Sequence, residues 1–166
     1  MLSLFNENEK QLFTSRWYLE FGKTISEVYN DKEDLCYIIT KKFKFWKWKM
    51  TYTIEKNDTK IGVLSSQNLQ YTVFETTINS DTFRVEQHYQ QKKSIFKNSI
   101  KIAEIDESKK EENAEKIIKI QVLDSKDIDK VFLLFCALMT GVNNQKSILK
   151  SQKTLIPNED DWSKLA

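Results

Sequence analysis

The sequence predicts an α+β fold: an antiparallel β-meander or barrel wrapped around a buried C-terminal hydrophobic helix, with an N-terminal helical segment. Three observations carry this. An uninterrupted apolar run, Val131 to Met139, sits inside a 3.6-residue stripe. From Leu35 to Val122 the apolar residues recur with period two. Between residues 7 and 29 they recur at spacings of four and three.

In that first segment Phe13, Trp17, Phe21, Ile25 and Val28 fall on one helical face, which reads as a helix. The competing reading is a strand at Trp17, Leu19 and Phe21 turning at Gly22, because an interior glycine costs a helix about 1 kcal/mol relative to alanine. From Leu35 the alternation is that of a strand. In Lys42-Phe43-Lys44-Phe45 the apolar side chains are at odd positions, whereas from Trp46 to Ile54 they are at even ones. A slip of one residue swaps the two faces of a strand, so a bulge or tight turn sits between Phe45 and Trp46.

Asn57-Asp58 is hairpin material, and Ile61 and Val63 resume the alternation on the return. A polar turn over Ser65 to Asn68 precedes a strand through Leu69, Tyr71 and Val73. Asn79-Ser80-Asp81 turns the chain into a strand with Phe83, Val85, Gln87 and Tyr89 on one face. Lys92-Lys93 and Lys97-Asn98 mark loops around Ile95-Phe96, and Ile100 to Ile105 is a further strand. Asp106 to Glu115 is a solvated loop or hairpin tip, after which Ile118, Ile120 and Val122 resume a strand. This gives seven or eight strands from Leu35.

Asp124 or Ser125 then caps a helix with Asp127 in its first turn, and Gly141 terminates it. Leu133, Leu134, Cys136 and Ala137 fill the faces that Ile128, Val131, Phe132, Phe135, Leu138, Met139 and Val142 leave open. A helix apolar all round must be enclosed. Beyond it, the tail is polar except for Ile148, Leu149, Leu155, Ile156 and Trp162 and is expected at the surface. The expected organisation is one domain: an N-terminal helical extension over 1–34, the strands and central helix over 35–143, and a polar tail over 144–166.

Composition narrows the function. A chain of 166 residues buries about two thirds of its unfolded surface without a disulfide or metal staple. Cys36 in an apolar strand and Cys136 in an apolar helix read as buried reduced thiols, not as a disulfide framework. The start carries no export signal, and the apolar run is about half the length a bilayer-spanning helix needs. The expectation is a cytoplasmic protein, peripheral to the membrane where it meets one. With 26 Lys plus Arg against 24 Asp plus Glu, the charge excess is too small for a generic nucleic-acid binder, so any basic surface is local.

No catalytic constellation is present. His88 has Arg84 and Glu86 near it on one strand face, yet a lone histidine without a nucleophile reads as a surface residue on the solvated side of a sheet. Two isolated cysteines and one histidine match no metal spacing, and three scattered glycines build no phosphate loop. Neither a catalytic activity, nor a metal, nor a cofactor is expected. What stands out is Lys41, Lys42, Lys44, Lys47 and Lys49 interleaved with Phe43, Phe45, Trp46 and Trp48. Ammonium groups beside aromatic rings suit an anionic headgroup at a water-to-apolar boundary. The bland alternative is a strand with aromatics inward and lysines protecting its edge. Single-stranded nucleic acid is the weaker variant of the same chemistry.

The order of elements, with Lys42 to Asp58 (KFKFWKWKMTYTIEKND), a meander, a strand at Ile117 to Val122 and the greasy helix Ile128 to Val142, resembles the tubby C-terminal-like superfamily, including its LURP-one-related, phospholipid scramblase-like and small bacterial members. The resemblance implies a closed twelve-stranded antiparallel barrel around a hydrophobic helix and a basic groove for phosphoinositides. It points to Lys42, Lys44, Lys47 and Lys49, with Trp46 and Trp48 beside them, as lipid-binding candidates. The leading expectation is therefore a non-enzymatic module engaging anionic phospholipid. The runner-up is a protein-interaction module, such as a bacterial immunity or regulatory protein, meeting its partner through the loop Asp106 to Glu115 and the tail. A hydrolase or lipid-transfer barrel using His88 comes third.

Overall fold

A computed structural model describes residues 1–44, 47–88, 91–107, 111–112, 115–142 and 147–152; for 111–117 and 147–152 only the backbone is considered. Among the described residues the chain forms thirteen strands and one α-helix: β1 (Leu2–Phe5), β2 (Gln11–Glu20), β3 (Lys23–Asn30), β4 (Leu35–Lys44), β5 (Lys49–Lys56), β6 (Thr59–Ser66), β7 (Val73–Ile78), β8 (Asp81–His88), β9 (Lys92–Lys97), β10 (Ile100–Asp106), β11 (Glu111–Glu112), β12 (Glu115–Val122), α1 (Ile128–Met139) and β13 (Ser147–Gln152).

Strands β1 to β10 pair in sequence order as an antiparallel meander. β10 also pairs with β12, β12 with β13, and β13 with β1, the last two in parallel, so the order of ladders returns to its start. Helix α1 is fully buried from Val131 to Met139. It is touched from widely separated strands: Phe132 stacks on Phe13 of β2, and the buried Lys93 of β9 lies over the Phe135 ring. Tyr37 of β4 reaches the Asp129 carboxylate near the helix start.

The N-terminal helix expected over residues 7–29 is not formed; the segment is β2 and β3, paired from Glu20↔Lys23 to Phe13↔Asn30. A spacing of four is even, so Phe13 and Trp17 share a strand face as readily as a helix face. The inward positions between them are polar: Ser15 and Ser26 are buried and share a 2.9 Å hydrogen bond, which hides the alternation. Their small size lets α1 approach, and the Ser15 hydroxyl lies against the Cys136 thiol. Residues 1–34 are thus part of the sheet. The expected polar tail also contributes, since Ser147–Gln152 forms β13; residues 153–166 lie outside the described residues.

The slip predicted between Phe45 and Trp46 falls outside the described residues, and the strands on either side of it pair antiparallel, so the chain reverses there. Phe43 and Met50 face each other, and Lys44 pairs with Lys49. Asn57-Asp58 is a two-residue turn with both residues at positive φ, 50° and 58°, as a type I′ hairpin requires. Asn79-Ser80 and Asn98-Ser99 repeat it. Two expected boundaries move. Leu69 and Tyr71 belong to the loop before β7, and Lys92-Lys93 opens β9 instead of marking a loop.

An alternating meander puts its turns at two opposite rims. One rim, beside the helix start where Lys97 bonds Asp127 at 3.0 Å, carries the turns at 31–34, 57–58, 79–80 and 98–99. We call it the N-rim. The other, the C-rim, carries the turns at 21–22 and 67–72, residues 47–48 before β5, and the helix end, where the Lys41 ammonium donates to the Thr140 carbonyl at 3.1 Å. Gly141, at φ +77°, ends the helix there in a left-handed conformation.

On the outer face of β2 and β3 a polar cluster locks the pair. Glu27 accepts from Tyr18 (2.8 Å), Tyr29 (2.5 Å) and Arg16 (3.3 Å). Partial burial pushes the Glu27 pKa up, but the donors from Tyr29, Tyr18 and Arg16 outweigh it and hold the carboxyl below its ordinary value. The same bond raises Tyr18 to about 12. A depressed carboxyl contributes stability that is present above its unfolded pKa and disappears as pH falls through the folded one. Chemical denaturation at stepped pH should therefore show Glu27→Gln losing stability at neutral pH while its difference from wild type shrinks on acidification below the ordinary carboxylate range. A difference that stays constant down to the most acidic point would contradict this assignment. In the core, Phe132→Ala removes a ring that nothing can replace and should cost about 3–5 kcal/mol in urea unfolding.

Candidate functional site

The site is built at the C-rim by the strand ends. Alternation along β4 sends Ile39, Lys41 and Phe43 toward the helix side and Lys42 and Lys44 to the outside. Thr24 of β3 pairs with Lys41, which brings the turn Phe21-Gly22 alongside the end of β4. The result is a groove of about 620 Å³ lined by Gly22, Lys23, Thr24, Lys41, Lys42, Phe43, Lys44 and Met50. It straddles the rim. Half of these residues are lysines and none is acidic.

One feature raises the positive potential of this groove, and another anchors its floor. Lys44 and Lys49 stand directly opposite each other across the β4–β5 pair, and like charges so placed repel. Lys41 is drawn partly inward, and burial lowers its pKa from the usual lysine value. The carbonyl of Thr140 meets that ammonium, which is the favourable partner for a cation at a helix C-terminus. Lys41 therefore ties the groove floor to the helix, and Lys23, Lys42 and Lys44 remain to face a ligand.

Of the sequence-predicted candidates, Lys42 and Lys44 line the groove. Lys47 and Trp48 lie on the β4–β5 turn beside it, both exposed, and the half-buried Lys49 opens β5. Trp46 lies outside the described residues. Sequence reasoning missed Lys23 as a site residue, because it sits in the segment read as helix. It had Lys41 in the basic run without placing it against the helix end; the Thr24↔Lys41 pairing, a long-range contact, is what places both.

The rival cavities are less suited to an anion. One of about 270 Å³, lined by Met1, Thr14, Ser15, Arg16, Tyr29 and Glu33, has Arg16 as its one cationic side chain, already paired with Glu27. Another of about 220 Å³ is bordered by Glu55 and Asp58. His88 is half-buried, not on the solvated surface as expected, and its Nε2 sits 3.0 Å from the Ser94 hydroxyl; the neighbouring Arg84 pairs with Glu86 at 2.7 Å. Cys136 is buried, and burial pushes its thiol up to about 12, far from thiolate chemistry. Cys36 is only half-buried, which corrects the expectation of two buried thiols. Among the described residues no group of three or more His, Cys, Asp or Glu is arranged to hold a metal ion.

The loop Asp106 to Glu115 carries the short strand Glu111–Glu112 against Glu115 and Lys116, and residues 108–110 and 113–114 lie outside the described residues. Among the described residues no helix is long and apolar enough to cross a membrane.

No curated protein and no solved structure matches the chain at a significant level. The sequence profile of the Tubby C-terminal like domain does, over residues 3–142, a span that takes in the N-terminal strands, the lysine groove and the whole of α1. The chain belongs to the Tubby C-terminal like family.

Proposed function

We propose that this chain is a non-enzymatic tubby-like binding module, cytoplasmic and peripheral to the membrane, whose C-rim groove takes the anionic headgroup of a phospholipid. The observation that carries the reading is the groove itself: four lysines, a phenylalanine and a methionine with no carboxylate among the lining residues. Phosphate is attracted by the ammonium groups, while Phe43 and Met50 offer an apolar wall to the glycerol end of the lipid. Membership of the tubby-like family supports a binding role. Lys44 opposite Lys49 adds a second support, since an anion between them relieves a repulsion that folding alone leaves in place.

The test is co-sedimentation with neutral phosphatidylcholine vesicles and with vesicles that also contain phosphatidylserine and a phosphoinositide. The wild-type protein should pellet with the acidic vesicles and stay in solution with the neutral ones, with binding weakened by salt. Each lysine near an anionic surface contributes about 1 kcal/mol, so Lys42→Gln with Lys44→Gln should weaken acidic-vesicle binding by about 30-fold. Equal partition onto both vesicle types, or an unchanged affinity in the double variant, would rule the groove out.

A further inference from the structure

The two rims differ in a way that headgroup binding does not require. At the N-rim the residues with positive φ are Glu9, Glu33, Asn57, Asp58, Asn79, Ser80, Asn98 and Ser99, every one polar. At the C-rim the non-glycine ones among the described residues are Phe21 at 46°, Trp48 at 47°, Tyr71 at 55° and the polar Gln91 at 58°. A left-handed backbone favours glycine, asparagine or aspartate and is strained for a bulky residue. Three aromatic residues on three neighbouring loops thus hold positions where the same molecule elsewhere uses turn chemistry.

Packing involves two of them, both against one ring: Trp48 meets Phe43 edge-on at 6.3 Å yet keeps most of its surface in water, and among the described residues Phe21 has no such contact to explain it. Tyr71 is half-buried: its ring meets Phe43 edge-on at 6.5 Å and its hydroxyl donates to the Trp48 carbonyl at 3.2 Å. Phe21 is 96% exposed and Trp48 is 65% exposed, and Leu69, on the same loop as Tyr71, is 72% exposed. Turn strain and apolar exposure together, at the tips of three loops beside one basic groove, are the mark of a surface held in readiness for an apolar medium.

We propose that Phe21, Trp48 and Leu69 penetrate the acyl boundary of an anionic bilayer, so that the protein docks end-on by its C-rim. The inference rests on the headgroup reading for its charge component and extends it. A bilayer is the occupant that fits best: isolated apolar tips interspersed with Lys23, Lys42, Lys44 and Lys47 match a surface that is anionic outside and oily a few ångström deeper. Tryptophan at the boundary and lysine at the headgroup level are the usual depths for these side chains.

The variants Phe21→Asn and Leu69→Ser test this, because asparagine suits the backbone at position 21 and both positions are solvent-exposed. Thermal unfolding should show each folded, with Phe21→Asn no less stable than wild type. Affinity for the acidic vesicles should fall about tenfold or more for each, the change expected when one such side chain no longer leaves water. Binding of a soluble inositol trisphosphate, measured calorimetrically, should stay within about twofold of wild type, since the lysines are intact. Vesicle affinity unchanged in the double variant overturns insertion while leaving the headgroup reading standing, as does joint loss of vesicle and soluble-headgroup binding in a folded variant. Wild-type protein that pellets with neutral and acidic vesicles alike, and ceases to do so in the double variant, supports insertion and removes the headgroup reading. Protein that ignores all vesicles but copurifies with a stoichiometric protein, lost in the double variant, overturns insertion in favour of a protein partner.

Discussion

The constraint on which everything else depends is that the helix Ile128–Met139 has no face it can show to water. From Val131 to Met139 every residue is buried, so a single flat layer of strands, which covers one side of a helix, is not enough. The chain meets the demand with strands, thirteen among the described residues, whose ladders pass from β1 to β10 and back through β12 and β13. The inward positions adapt to the helix in detail. Where Ser15 and Ser26 face it the strands approach closely, and where Phe13 faces it an aromatic pair with Phe132 fills the gap. Two polar groups that the interior contains have partners there: Thr140 donates its hydroxyl to the Cys136 carbonyl, and Lys93 is paired with Glu107.

Enclosing the helix also decides where function can reside. The inner faces of the strands are committed to the core, which leaves the outer wall and the two rims. On the wall between β2 and β3 the charges satisfy one another, as the Arg16–Glu27–Tyr18–Tyr29 cluster illustrates, and a neutralised cluster has little left for a ligand. The rims are different. Antiparallel neighbours place alternate turns together, so residues far apart in sequence, such as Lys23 and Lys44, are gathered at one end without any dedicated scaffold. The helix finishes at the same end, and Lys41 donates to the Thr140 carbonyl at its C-cap, which ties the groove to the buried helix.

Much of this was legible in the residues. Alternation from Leu35 to Val122, the reversal near Phe45 and the enclosed helix all follow from periodicity, because long patterned segments leave one low-energy assignment. The reversal is a case in point: Phe43 and Met50, of opposite parity, can face the same core only if the chain turns between them. The N-terminal segment was not legible, since a spacing of four satisfies helix and strand alike and the deciding positions, Ser15 and Ser26, are small polar residues buried in a core. β13 escaped for a similar reason: Ile148 and Leu149 give too short an apolar signal, and the strand exists through parallel pairing with β1 and β12. The site was half legible. Lys42 and Lys44 belong to a local pattern, whereas Lys23 and the helix-end partner of Lys41 are brought in by tertiary pairing.

Placing recognition in turns instead of strands has an energetic logic. A strand residue that faces outward is flanked by two neighbours whose hydrogen bonds it must not disturb, and changing it alters the wall that holds the helix. A turn tip is free of that duty, and the N-rim shows what it becomes under folding pressure alone: Asn-Asp or Asn-Ser, polar, with positive φ accommodated at little cost. Phe21-Gly22 follows the same two-residue geometry and closes the same kind of hairpin, yet its first residue is a fully exposed aromatic. The three N-rim hairpins therefore act as internal controls for the fourth. Folding supplies no reason for that ring, and the four-lysine groove at its foot supplies the chemical neighbourhood in which an exposed aromatic has a use.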